Sequence, residues 1–135
     1  TSTQDENTMD RALILGTGGA SKAIIYALEN IGIDCLSVSR TPNNNQLAYE
    51  DINEYVFKHH LLIINTTPVG TSPNIENLPN IPYQDLTKNH LLVDLIYNPS
   101  ETLFLKKGLE MNTRILNGSA MLIHQAEESW RIWNS

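Results

Sequence analysis

The sequence predicts a doubly wound α/β domain, a mainly parallel sheet with helices on both faces, and three observations carry that expectation. Short apolar runs alternate along the chain with stretches of helical period. The apolar runs show no polar alternation, as befits strands covered on both faces. A glycine-rich turn, Gly16-Thr17-Gly18-Gly19-Ala20-Ser21, joins the first run to the first helical stretch.

Residues 11–16 (Arg-Ala-Leu-Ile-Leu-Gly) read as a buried strand ending at glycine. In the next stretch Ala20, Ala23, Ile24, Ala27, Leu28 and Ile31 fall on one helical stripe, and Gly32 stands where a C-terminal cap belongs. Residues 34–39 are a second strand, which completes a strand–helix–strand crossover of about thirty residues. Pro42 and Asn43-Asn44-Asn45 make a loop. A short helix is expected within residues 51–60, with Ile52, Tyr55 and Val56 on one face. Residues 61–65 are a strong strand, followed by a long Pro-, Asn-, Ser- and Thr-rich loop over residues 66–82, a length that is often functional. Residues 91–95 form a further strand. Pro99 is expected to open a helix containing Leu103, Leu105 and Leu109, which Gly108 and Met111 would end. A short strand over residues 113–116 and a closing helix over residues 119–133 complete the alternation.

The 135 residues suit one domain with a single core, residues 11–135, behind a polar tail at residues 1–10 that is expected to be loose or a linker remnant. A net charge of −6, with nine scattered basic residues, argues against a nucleic-acid footprint. No apolar run approaches a membrane span, and the first ten residues lack the basic start and apolar stretch of a secretion signal. Cys35 is the only cysteine, so an internal disulfide is impossible and a reduced, cytoplasmic setting is expected.

The glycine turn lies between strand and helix, where backbone N–H groups at a helix N-terminus can hold a pyrophosphate. Gly16 and Gly18 would supply the turn and the close approach, Gly19 an open entrance, and small Ser21 replaces the third glycine of the Rossmann-type fingerprint. The second strand ends in Ser39-Arg40-Thr41 with no acidic residue to accept from a ribose 2′-hydroxyl. The arginine favours a 2′-phosphate and hence NADP, the alternative being an exposed loop arginine. Asn65-Thr66-Thr67-Pro68-Val69-Gly70 and Asp94-Leu95-Ile96-Tyr97-Asn98-Pro99 also lie just past strand ends, so four segments converge on the sheet edge where such folds bind ligands. By pattern alone Tyr97 is as readily a cover for the sheet end as a ligand contact. Gln125 reads as a half-exposed surface residue, Gly118 as a turn, and Trp130 and Trp133 as core or interface aromatics where self-association would occur. His59, His60, His90 and His124 have no metal-ligand spacing and read as structural or exposed.

Taken together, these motifs resemble the C-terminal NADP-binding domain of shikimate dehydrogenase from about residue 11 to residue 133. The matching segments are residues 16–21, 39–41, 65–70, 94–99 with Thr102, and 117–125 (Asn-Gly-Ser-Ala-Met-Leu-Ile-His-Gln). The resemblance implies that Gly16, Thr17, Gly18, Gly19 and Ala20 hold the pyrophosphate and Arg40 the 2′-phosphate. It implies that Asn65, Thr67, Leu95, Gly118 and Met121 line the nicotinamide side. Tyr97 and Gln125 would reach the hydroxyls of shikimate, which replaces the surface reading of Gln125. In this family hydride passes between NADPH and 3-dehydroshikimate.

Ser39 stands where Asn is frequent, uncharged Asn43 and Asn44 where a second basic residue is frequent, and Thr71 where methionine is common. A softer NADP preference is therefore expected. The family's catalytic Lys and Asp lie in an N-terminal substrate domain without a counterpart in these residues. This chain is thus expected to contain no catalytic residue, to bind the cofactor weakly and not to turn over. A stand-alone NADP-binding module and a quinate dehydrogenase-like oxidoreductase are the alternatives.

Overall fold

Six strands, all parallel, form one sheet in the order β3-β2-β1-β4-β5-β6. They are β1 (Arg11–Leu15), β2 (Asp34–Ser39), β3 (Gln46–Ala48), β4 (Leu62–Asn65), β5 (Leu91–Asp94) and β6 (Arg114–Asn117). Among the described residues three α-helices are interleaved: α1 (Gly19–Asn30), α2 (Glu54–His59) and α3 (Leu103–Glu110). The computed structural model describes residues 10–70, 76–95 and 101–117. The expected tail before residue 10, Tyr97, Pro99, Gly118, Met121, Gln125 and the expected closing helix with Trp130 and Trp133 lie outside the described residues.

The doubly wound architecture is as the sequence predicts. Because successive side chains of a strand face opposite ways, the apolar runs divide between two cores. Ala12, Ile14, Leu62, Ile64, Leu91 and Val93 pack on one face with Ile24 and Leu28 of α1. Leu13, Leu15, Val38, Ile63 and Leu92 pack on the other with Phe57 of α2 and Phe104 and Leu105 of α3.

α1 ends as expected. Gly32, at φ +89°, takes the left-handed position, and the N–H groups of Gly32 and Ile33 return to the carbonyls of Glu29 and Leu28. Its buried stripe is rotated from the expected one. Ser21, Ile24 and Leu28 are buried, whereas Ala20 and Ala23 are exposed, because alanine contributes too little area to set the face. On β2, Cys35 is half-buried against the α1-side core, and burial, then Glu29 and Asp34, push its thiol up to about 12.

The structure departs from expectation at three further points. Residues 46–48, directly after the expected loop and given no element by the sequence pattern, form the edge strand β3. Three residues following an asparagine run carry almost no apolar pattern, and pairing with β2 supplies what propensity lacks. In α2, Phe57 is the buried residue and Tyr55 is 70% exposed, while Ile52 is buried ahead of the helix. α3 starts at Leu103 rather than at Pro99, because Thr102 caps it by accepting from the Leu105 N–H, and Gly108 lies inside the helix and does not end it. It is buried because a β-carbon there would stand 2.7 Å from Leu92 Cδ1, and Leu109 points outward. Asn112, at φ 60°, takes the left-handed position that ends α3, with Thr113 N–H donating to the Gly108 carbonyl.

Candidate cofactor site

The strand registers bring the predicted segments to one edge. Leu15 stands beside Val38 and Asn65, and Asn65 beside Asp94, so the turns after β1, β2, β4 and β5 emerge side by side. From β1 the chain winds outward through β2 to β3, then returns to β4 on the other side of β1. This reversal opens a crevice above β1 and β4, the position where doubly wound sheets bind ligands.

Gly16 begins the turn at φ +112°, and its N–H donates to the Val38 carbonyl at 2.9 Å. A β-carbon here would lie 2.6 Å from Thr66 Oγ1 and 3.1 Å from Thr67 Cγ2. Glycine is thus required on both conformational and steric grounds. At Gly18 and Gly19 a β-carbon would meet nothing within 4 Å, so the space above the helix start is open. Gly18 is the N-cap and no side chain caps α1, which directs its first N–H groups to that space. Buried Ser21 turns inward instead, its hydroxyl donating to the Gly18 carbonyl at 3.0 Å. Thr17 and Ala20 are exposed at the same mouth. Small residues with open space above an uncapped helix start fit a pyrophosphate.

Arg40 is exposed just beyond β2. The Thr41 N–H donates to Ser39 Oγ at 3.1 Å, which bends the chain immediately after the arginine. Asn43 accepts from the Asn45 N–H through Oδ1, and Gln46 Oε1 accepts from the Asn43 N–H, so the asparagine loop closes on itself. Burial raises the Tyr49 hydroxyl, and the nearby Arg40 charge partly opposes it.

On the far side of the crevice lies a buried polar chain that pattern reading did not resolve into partners. Asn65 and Asp94 are fully buried. Asn65 Nδ2 donates to Asp94 Oδ1 at 3.2 Å, and Asn65 Oδ1 accepts from Thr67 N–H at 3.0 Å and Thr67 Oγ1 at 2.6 Å. Thr102, the N-cap of α3, donates to Asp94 Oδ2 at 2.6 Å while accepting from the Leu105 N–H at 3.4 Å. The Leu95 N–H donates to the Asn65 carbonyl. Thr66 ties this side to the turn, its N–H and hydroxyl both donating to the Leu15 carbonyl at 2.9 and 2.7 Å. Tyr83, raised first by burial and then by the Asp94 charge, donates to the Pro79 carbonyl at 2.7 Å.

Of the residues singled out from sequence, Gly16 to Ser21, Ser39, Arg40, Thr41, Asn65, Thr67 and Leu95 thus lie along one sheet edge. The signal that could have revealed the Asp94–Thr102 link is a carboxylate eight residues before a helix-capping threonine, but a lone Asp–Thr spacing is too common to stand out. His90 is structural: its Nε2 faces the Phe57 carbonyl at 2.8 Å and its Nδ1 faces Thr87 N and Oγ1.

Fold and turn define the class: a doubly wound α/β domain of the dinucleotide-binding kind. No protein-family model matches the chain. Its relatives are nonetheless clear. A shikimate dehydrogenase (NADP(+)) of Methanococcus aeolicus is 37% identical over 134 residues, covering 90% of this chain and 48% of that protein. The solved shikimate dehydrogenase of Aquifex aeolicus aligns at 35% identity and a TM-score of 0.69, covering 94% of this chain and 49% of its own. A shikimate dehydrogenase solved in complex with NADP+ aligns at 28% identity and a TM-score of 0.73, with 93% of this chain and 49% of that one covered. The chain is homologous to the shikimate dehydrogenases and spans about half the length of the relatives it matches.

Proposed function

We propose that this chain is the C-terminal, NADP(H)-binding half of a shikimate dehydrogenase, acting in the cytoplasm in aromatic amino-acid biosynthesis. The observation that carries the reading is Arg40 at the end of β2, on the same sheet edge as the open glycine turn before α1. The N–H groups from Gly18 to Ser21 hold the pyrophosphate, and Arg40 pairs with the 2′-phosphate. Relatives named for NADP(+), and a neighbour solved with it, support that choice.

The bound cofactor supplies the hydride that passes to 3-dehydroshikimate. What these residues contribute is position: the turn fixes the phosphates, and the β4 and β5 ends with Asn65, Thr67 and Leu95 bound the nicotinamide side. Gly118 and Met121 complete that wall, and Tyr97 and Gln125 contact shikimate hydroxyls. The acid–base pair belongs to the family's other half, the partner that this edge would face.

Calorimetric titration tests the reading. The 135-residue chain should bind NADP+ more tightly than NAD+. Arg40→Gln should weaken NADP+ by roughly 10- to 100-fold, the worth of a charge-assisted contact, with NAD+ unchanged. Equal affinity of the unaltered chain for both would remove Arg40 from the site. The same polypeptide should reduce no NADP+ when shikimate is supplied, and measurable turnover would refute the division of labour.

A further inference from the structure

The buried chain Thr67–Asn65–Asp94–Thr102 has a fixed direction, and one carboxylate sets it. A carboxylate can only accept, so Asn65 must turn its Nδ2 toward Asp94 and its Oδ1 toward Thr67. With Oδ1 accepting at 2.6 Å, the one hydroxyl proton of Thr67 is committed inward. The Val69 N–H, at 3.2 Å, takes one of the two lone pairs left on Thr67 Oγ1. The other can only accept. On the opposite side the Thr102 hydroxyl proton goes to Asp94, which leaves a Thr102 lone pair to cap α3. Asp94 thus polarises both arms.

Thr67 is well placed to use that lone pair. It is half-buried, and its Cγ2 lies against Gly16, the first residue of the turn. It follows β4, the direct neighbour of β1, one strand spacing or about 4.8 Å from the pyrophosphate turn. β5 and Leu95 lie one strand further out. In a dinucleotide running from Arg40 across β1, the group next to the pyrophosphate on the β4 side is the distal ribose, with the ring beyond it.

We propose that Asp94 is a positioning residue that makes Thr67 Oγ1 an obligate acceptor, and that this oxygen takes a hydroxyl proton of the ribose on the nicotinamide side of the cofactor. Asp94 touches no ligand; it acts through Asn65. This assignment rests on the NADP reading above.

Three probes separate the two: 2′,5′-ADP, which lacks the distal ribose; 2′-phosphoadenosine diphosphoribose, which has that ribose but no ring; and NADP+. Thr67→Val should weaken the two ribose-bearing ligands by roughly three- to tenfold, one neutral hydrogen bond, and leave 2′,5′-ADP unchanged. Thr67→Ser, which keeps the hydroxyl, should restore them. Asp94→Asn frees the Asn65 amide to flip and should produce the same selective loss, with folding checked by circular dichroism. Should Asp94→Asn fail to fold, the valine and serine pair still tests Thr67 as the acceptor, and Asn65→Leu tests the relay. Equal binding of all three ligands by wild type and Thr67→Val would overturn the proposal while leaving the cofactor reading intact. Failure of the unaltered chain to bind any of the three would instead refute the cofactor reading.

Discussion

At Gly16 the backbone is held at φ +112°, and a β-carbon would stand 2.6 Å from Thr66 Oγ1, which is itself bonded to the Leu15 carbonyl. Gly16→Ala should therefore cost roughly 2–4 kcal/mol, combining left-handed strain with a clash that a committed hydroxyl cannot easily relieve. Urea denaturation would read the loss, and NADP+ binding should fall with it. At Gly18, with open space around it and an extended backbone, alanine should change stability far less. Its effect should show in cofactor affinity. This contrast was legible only in part. The glycine spacing identified the turn and its place between strand and helix, but not which glycine is pinned by Thr66, a contact 50 residues away in the chain. Arg40 was equally visible, because strand-end chemistry is local. The Asn65–Asp94–Thr102 connection was not, since it depends on register between β4 and β5.

Among the elements, α3 carries two opposed demands. Gly108 costs helix propensity, about 1 kcal/mol relative to alanine, yet its bare backbone lets the helix lie against Leu92 and Ile115. Gly108→Ala should be net destabilising by roughly 1 kcal/mol, because overpacking costs about 1–3 kcal/mol and outweighs the propensity gain. An increased thermal midpoint would show instead that the helix can move away. Thr102→Val removes the cap and a 2.6 Å donor to buried Asp94, and should cost roughly 2–4 kcal/mol. The errors in reading these elements share a cause. Periodicity locates a helix well but orients it poorly when the stripe is built of alanine, as in α1, or when the helix is only six residues long, as in α2. β3 escaped because its three residues owe their conformation to β2 rather than to themselves.

At the scale of the whole molecule, the histidines give stability a pH dependence. His90 is buried between α2 and β5, and burial holds its pKa below the ordinary value despite bonds to Phe57 and Thr87. Burial lowers His60 as well. Both depressed groups favour the folded state while neutral. Their contribution is therefore complete above about pH 6.5, the unfolded value, and is lost as pH falls below it. The urea midpoint should drop between pH 7 and pH 5, and His90→Gln should flatten that slope. An unchanged slope would mean that His90 is protonated in the folded protein without penalty.

Cys35 offers a way to watch the same unfolding in time. As the only cysteine, with its thiol pushed up to about 12, it is almost wholly un-ionised and unreactive while β2 stays packed against α1. Released into water, it regains an ordinary thiol's reactivity. The rate of alkylation at neutral pH is therefore a built-in clock for opening of the first strand–helix–strand unit. A ligand held by the glycine turn should slow that clock in proportion to its occupancy.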